Sequence, residues 1–150
     1  ISLNESKEFI EKYFSRLQKV RQFFECIESQ AKTNGSVTTI AGRRRLLPDI
    51  NSRNDNLAGQ ARRIAINTVV QGSAADIIKM AMLRVEEDQE LKDLEAELIL
   101  QVHDELLLEV PEAKAKASGE RGAELMSSVI KLDVPLIVEW GTGRSWADAH

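Results

Sequence analysis

Three consecutive polar residues, His103-Asp104-Glu105, separate two largely apolar runs, Leu98 to Val102 and Leu106 to Val110. Runs of Leu, Ile and Val of that length read as buried strands, and a short polar break between them reads as a tight turn, so the triplet is expected at a hairpin tip. Two adjacent carboxylates held among apolar side chains are costly unless a cation or hydrogen-bond donors compensate them, because burial penalises the charged form. A metal ion at Asp104 is one such compensator. Oxygen donors of this kind suit magnesium or manganese, which commonly take one or two protein carboxylates and leave the other positions to water and phosphate. The alternative is an exposed turn in which His, Asp and Glu are simply solvated.

A second set of candidate residues is basic. The formal net charge of the chain is −4, but Ala41 to Ile66 holds six arginines (Arg43, Arg44, Arg45, Arg53, Arg62, Arg63) against Asp49 and Asp55, a local net of +4 that leaves −8 on the remainder. The basic part contains arginine and no lysine. Arginine presents a fixed fork of donors suited to phosphate oxygens and base edges, so this segregation points to a nucleic-acid contact; a solvated basic face is the competing reading.

The 150 residues are enough for one domain with a real core, and 43% hydrophobic with 29% charged residues fits neither a disordered nor a membrane-spanning chain. No run of about eighteen apolar residues is present, so no membrane partner is expected. The first residues show no secretory signal, and the lack of an initiator Met leads us to expect a chain that begins inside a longer protein. The single cysteine, Cys26, allows no internal disulfide, fits a reducing compartment, and is expected to pack on a helix.

The elements that must position these residues follow from pattern. Ser2-Leu3-Asn4-Glu5 has the form of a capping box, and Phe9, Ile10, Tyr13, Phe14, Leu17, Val20, Phe23, Phe24 and Ile27 recur at helical spacing. This predicts a helical region over 1–35, bent midway, with its aromatic stripe in the core and its end near Asn34-Gly35. Val37 to Ile40 reads as a short strand leading into an Arg-rich loop, the two together covering 36–56. A helix over 57–88 is expected to be interrupted at the β-branched run Thr68-Val69-Val70 and Gln71-Gly72, and to restart at a cap on Ser73-Ala74-Ala75-Asp76. The hairpin occupies 97–110. A helix over 112–132 should bury Ala117, Leu125, Met126, Val129 and Ile130, with Gly119 and Gly122 weakening its first half. The segment 134–150 reads as a third strand, Val134 to Trp140 with Pro135 at its entry, followed by a tail. The fold class expected is α+β: an antiparallel hairpin plus that third strand, packed against several helices on one side.

Taken together, the landmarks resemble the C-terminal part of family A DNA polymerases, the bacterial DNA polymerase I type. They are Gly42-Arg43-Arg44-Arg45 with Leu47-Pro48-Asp49-Ile50, Arg63-Ile64-Ala65-Ile66-Asn67, Gln71-Gly72-Ser73-Ala74-Ala75-Asp76, Gln101-Val102-His103-Asp104-Glu105, then Val134-Pro135-Leu136 and Gly141 to His150. The likeness covers essentially the whole chain. It implies a right-hand polymerase whose palm carries the 97–110 hairpin. Asp104 then matches one of two aspartates that hold the catalytic Mg2+ ions (Mn2+ as a substitute), two ions in the complete site. Glu105 matches a supporting acid near the metals, and His103 a residue beside the primer terminus. Arg63, Asn67 and Gln71 match contacts to template and primer, and Arg43, Arg44 and Arg45 lie near the nucleic-acid backbone. Two departures stand out: many relatives carry Pro where this chain has Gln18 and Val69.

The resemblance also implies what lies elsewhere. The other metal-binding Asp and the basic fingers helix that handles deoxynucleoside triphosphates belong to the preceding part of such a polymerase. Within this chain Glu97 and Glu109 sit seven and five residues from Asp104 along the hairpin, roughly 23 and 17 Å at strand rise, too far to share its ion. The segment is therefore expected to work with primer-template DNA and the N-terminal remainder of a polymerase, in the bacterial cytoplasm and nucleoid or in an organelle, and to be inactive alone. Two other readings remain. One is a DNA-binding module or split-polymerase subunit without independent catalysis. The other is a small metal-dependent phosphohydrolase built on His103-Asp104, which needs further histidines where the chain offers only His150.

Overall fold

The computed structural model describes residues 2–149, and the chain divides into two compact units, Ile1–Ser73 and Ala74–His150. His150, the one other histidine, lies outside the described residues.

In the first unit, helix α1 (Leu3–Arg16) opens with the expected capping box: the Ser2 hydroxyl accepts from the Glu5 N–H and the Glu5 carboxylate accepts from the Ser2 N–H. That backbone N–H and the Ser2 hydroxyl hold the Glu5 carboxyl below its ordinary value. Helix α2 (Gln18–Asn34) follows after a break at Leu17 (φ −112°, ψ 58°), so the bend forms here without a proline. It ends at Gly35, whose φ of 62° is the left-handed conformation that glycine adopts without steric cost. Strands β1 (Ser36–Thr38) and β2 (Arg44–Leu46) pair antiparallel, with Val37 opposite Arg45 and Thr38 opposite Arg44. The core joins Ile27 and Ala31 of α2, Val37 of β1, Leu47 and Ile50 of the following loop, and Ala61 and Ala65 of helix α3 (Asp55–Glu87). Each large aliphatic side chain there contributes roughly 2 kcal/mol by leaving water, and the two alanines let the α3 backbone come close.

Two expectations for this unit fail. The aromatic stripe is not core: Phe9 is 71% exposed, Tyr13 and Phe23 are each 47% exposed, and α1 buries no residue. Its rings stack edge-on with one another instead, Tyr13 on Phe14 and Phe14 on Phe24, while the Arg21 guanidinium lies over Phe14.

Helix α3 is also not interrupted; it runs unbroken for 33 residues. Three β-branched residues and a glycine there each cost up to about 1 kcal/mol in helix propensity, but breaking the helix would strand about four N–H and four C=O groups. Tertiary contacts add to that side of the balance. Val69 packs on the core, and Gly72 leaves room for the Thr39 methyl, which a Cβ would meet at 3.0 Å. Ser73, expected as a cap, instead donates its hydroxyl to the Val69 carbonyl within the helix and accepts from the Ile40 N–H at 2.9 Å. The start of α3 is capped by Asn54, whose side chain accepts from the Asn56 N–H at 3.0 Å.

In the second unit, the short helix α4 (Gln89–Asp93) is capped by Asp88, which accepts from the Leu91 N–H, and Leu91 is 1% exposed. Strands β3 (Glu97–Val102) and β4 (Glu105–Glu109) form the expected hairpin, with a bulge at Ile99. A 3-10 turn over Glu112–Lys114 leads into helix α5 (Ala115–Ser127), and the chain closes with α6 (Trp146–Ala149). Arg121 of α5 clamps Asp88 through two donors, Nη2 to Oδ2 at 2.6 Å and Nε to Oδ1 at 3.3 Å, and also reaches Glu124 and Glu90. The hydrogen bond from Arg121 holds the Asp88 carboxyl below its ordinary value, even against partial burial.

Here too the pattern misled in places. Helix α5 is shorter than 112–132 and buries Ser118 and Gly122, whereas Ala117 is exposed. Gly119 is needed because the Trp140 indole occupies the space a Cβ would take. The third strand does not form: Val134 lies in a bend, and 135–140 carries no strand and pairs with nothing among the described residues, since β3 and β4 pair only with each other. The fold is α+β, with two small antiparallel hairpins among helices.

Candidate active site

The β3–β4 register places Val102 opposite Glu105, which leaves His103 and Asp104 as a two-residue turn. His103 takes a φ of 51°, the left-handed region that tight hairpin turns require and that costs a non-glycine residue about 1 kcal/mol. The Gln101 side-chain amide donates to the His103 carbonyl and braces this conformation. His103, Asp104 and Glu105 are all exposed, and Ile99 and Leu100 on β3 are 51% and 45% exposed. The strands are thus only partly buried. Asp104 is exposed within these residues, so the case for a metal rests on donor chemistry instead. That chemistry fits a hard cation in part. Asp104 and Glu105 bring oxygen donors to one tip, but the described residues hold no cluster of three or more His, Cys, Asp or Glu able to hold an ion. Glu97 and Glu109 face each other at the opposite end of the hairpin.

The unbroken α3 does what an interrupted helix could not. Arg63, Asn67 and Gln71 recur every fourth residue on one continuous helix, all exposed, in a row about 12 Å long at a rise of 1.5 Å per residue. The buried Ala61 and Ala65 lie on the other side of the helix.

The three consecutive arginines are not brought together. Neighbouring residues of a strand point to opposite faces. Arg44 folds onto its own hairpin, its Nε donating to the Ser36 hydroxyl at 3.1 Å. Arg45 crosses to α3, where Nη1 donates to the Thr68 hydroxyl at 3.4 Å, and it lines a cleft of about 250 Å³ with Asp49, Leu57, Gln60 and Ile64. Arg43 sits in the exposed bend, where its N–H donates to the Thr39 hydroxyl and its carbonyl accepts from the Thr39 N–H. Sequence reasoning passed over Gln101 and Thr68 as positioning residues. Gln101 carried a signal, being the one polar residue inside the first apolar run; Thr68 carried none, since its role depends on Arg45, 23 residues away in the sequence.

Comparison with known proteins agrees with this architecture. The family model for DNA polymerase family A matches residues 1–148. DNA polymerase I of Bacillus caldotenax is 46% identical over 149 residues, which are 99% of this chain and 17% of that relative. The thermostable DNA polymerase I of Thermus filiformis is likewise 46% identical over 149 residues, 18% of its length. Among solved structures, the POL domain of Pol1 from M. smegmatis, in complex with DNA primer-template and dNTP, superposes with a TM-score of 0.91 at 44% identity, covering 99% of this chain and 26% of that one. The chain thus spans about a sixth of the length of the curated relatives it matches. It belongs to DNA polymerase family A.

Proposed function

We propose that this segment works within a longer, template-directed DNA polymerase, supplying one metal-binding aspartate and part of the surface that holds primer-template DNA. The observation that carries the reading is the position of Asp104: an exposed carboxylate on a braced two-residue turn, in a chain of family A. Asp104 would hold the divalent ion, magnesium or manganese, together with an acid from the N-terminal remainder; Glu105 supports it and His103 stands beside the primer end. When bound, two such ions supply Lewis-acid stabilisation of the attacking 3′ oxygen and of the leaving pyrophosphate oxygen.

The row of Arg63, Asn67 and Gln71 suits a duplex whose sequence changes at every step. Minor-groove acceptors, N3 of purines and O2 of pyrimidines, occur in nearly the same place on all four base pairs, so side-chain donors can check pair geometry without reading sequence. A row of about 12 Å spans between three and four base-pair steps. Of the arginine triplet, Arg45 is the member that joins this surface: its anchor Thr68 is a helical neighbour of Gln71, whereas Arg44 is drawn back to Ser36.

Primer extension by the full-length polymerase, with and without Asp104→Ala, tests the proposal. Loss of extension with primer-template affinity retained is expected; undiminished extension would refute the assignment. The 150-residue chain alone is expected not to extend primers. Binding DNA with a steep salt dependence and no response to magnesium in the full-length protein would favour a binding module without chemistry.

A further inference from the structure

We infer that Gly59, Arg62 and Arg63 form a seat for one backbone phosphate of the primer-template, at the N-terminal end of the α3 row, with Arg62 as a further phosphate-binding residue. Gly59 stands four residues before Arg63, so it is the next position of the row that continues through Asn67 and Gln71. No side chain projects there. Helical side chains lean towards the N-terminus, and the two arginines bring their guanidinium groups back over the glycine. A Cβ on Gly59 would lie 3.8 Å from Arg62 Nη2 and 3.9 Å from Arg63 Nη1. The two nitrogens are therefore within about 8 Å of each other, no more than the screening length at physiological salt.

Two observations point to a ligand. Neither guanidinium has a carboxylate partner among the described residues, whereas Arg121 is held by Asp88, Glu90 and Glu124. Gly59 is also not demanded by packing: a Cβ there would make only ordinary contacts, and only with these two side chains. Glycine inside a helix costs stability relative to alanine. Its missing side chain leaves an open approach to the helix between two cations.

Phosphate oxygens suit two convergent forks of N–H donors. The source is the duplex backbone and not a free nucleotide. The seat lies about 6 Å along the helix from Arg63, at the end of a row that suits minor-groove acceptors, and the sugar-phosphate strands wall that groove. A phosphate held there fixes where the row sits along the duplex and reads no sequence. This inference rests on the reading above that α3 holds primer-template DNA.

The test uses the full-length polymerase and a labelled primer-template. Arg62→Ala is expected to lower the dependence of log affinity on log salt by about 0.9, the share of one phosphate contact. Arg62→Lys, which keeps the charge, is expected to restore the slope. Lys12→Ala removes one charge from α1, where Lys12 pairs with Glu8, and is expected to leave the slope as it was. Single methylphosphonates placed along the DNA each remove one phosphate charge. At one position the substitution is expected to weaken binding by the unaltered protein and to weaken Arg62→Ala no further. An unchanged slope for Arg62→Ala overturns the inference, as do an equal fall for Lys12→Ala and methylphosphonate losses that add to Arg62→Ala at every position. A raised KM for deoxynucleoside triphosphate with DNA affinity intact assigns the seat to the free nucleotide and overturns it too. Arg63→Ala separates the inference from the reading beneath it. A reduced slope for Arg63→Ala with none for Arg62→Ala sinks only the seat, whereas unchanged slopes for both sink the α3 surface itself. Primer extension indifferent to Asp104→Ala beside a reduced slope for Arg62→Ala sinks only the metal assignment.

Discussion

If Arg45, and not Arg44, reaches the DNA surface, the two arginines should differ in how their loss changes the salt dependence of primer-template binding. Arg45 is held by Thr68 on the flank of α3, one turn from Gln71; Arg44 is held by Ser36 on the hairpin. One phosphate contact contributes a slope of about 0.9 to the dependence of log affinity on log salt for duplex DNA. Between 50 and 200 mM salt, a fourfold change, that is about a 3.5-fold difference in affinity. The full-length polymerase carrying Arg45→Ala is therefore expected to bind more weakly at low salt and to lose about 3.5-fold less affinity over that interval than the unaltered protein. Arg44→Ala should leave the slope unchanged. Fluorescence anisotropy with a labelled primer-template measures both. Equal slopes for Arg45→Ala and the unaltered protein would refute the argument, and so would a reduced slope for Arg44→Ala. A parallel Arg63→Ala variant shows whether the α3 row binds DNA at all.

Other consequences are local. Leu91→Ala removes a side chain that is 1% exposed and should lower unfolding free energy by about 3 kcal/mol, read by chemical denaturation. Asp88→Asn keeps the helix cap but removes the charge that Arg121 clamps. Because the Asp88 carboxyl is held below its ordinary value in the folded chain, its contribution is complete above about pH 4, the usual aspartate range, and fades as pH falls below it. The Tm difference between the two proteins should therefore be constant from pH 7 to 5 and shrink in acid; a difference that grows in acid would contradict the assignment. Gly119→Ala should displace Trp140, seen as a shift in tryptophan emission in a Trp146→Phe background, despite the better helix propensity of alanine.

Local chemistry was legible where a few adjacent residues suffice to fix it. The capping box at Ser2 and Glu5, the glycine stop at Gly35 and the hairpin with its turn at His103-Asp104 all formed as the pattern indicates. The motif order, with the resemblance it carries, identified the family that the comparisons then showed. Each of these is decided by interactions within a few residues or by a string of residue types.

Errors arose where a distant partner decides the outcome. The propensities of Thr68 to Gly72 argued for a break, but packing of Val69 and the close approach of Thr39 to Gly72 kept α3 whole and set Arg63, Asn67 and Gln71 in one row. The aromatic residues of α1 had helical spacing, yet spacing says only which residues share a face, not whether anything covers it. Val134 to Trp140 has the composition of a strand, and a strand exists only once another backbone satisfies its hydrogen bonds. Sequence thus determined which chemistry the chain can offer and on which local turns and helices. The tertiary structure decided which side chains share a surface, because that depends on contacts whose free energy outweighs the local preferences of the residues between them.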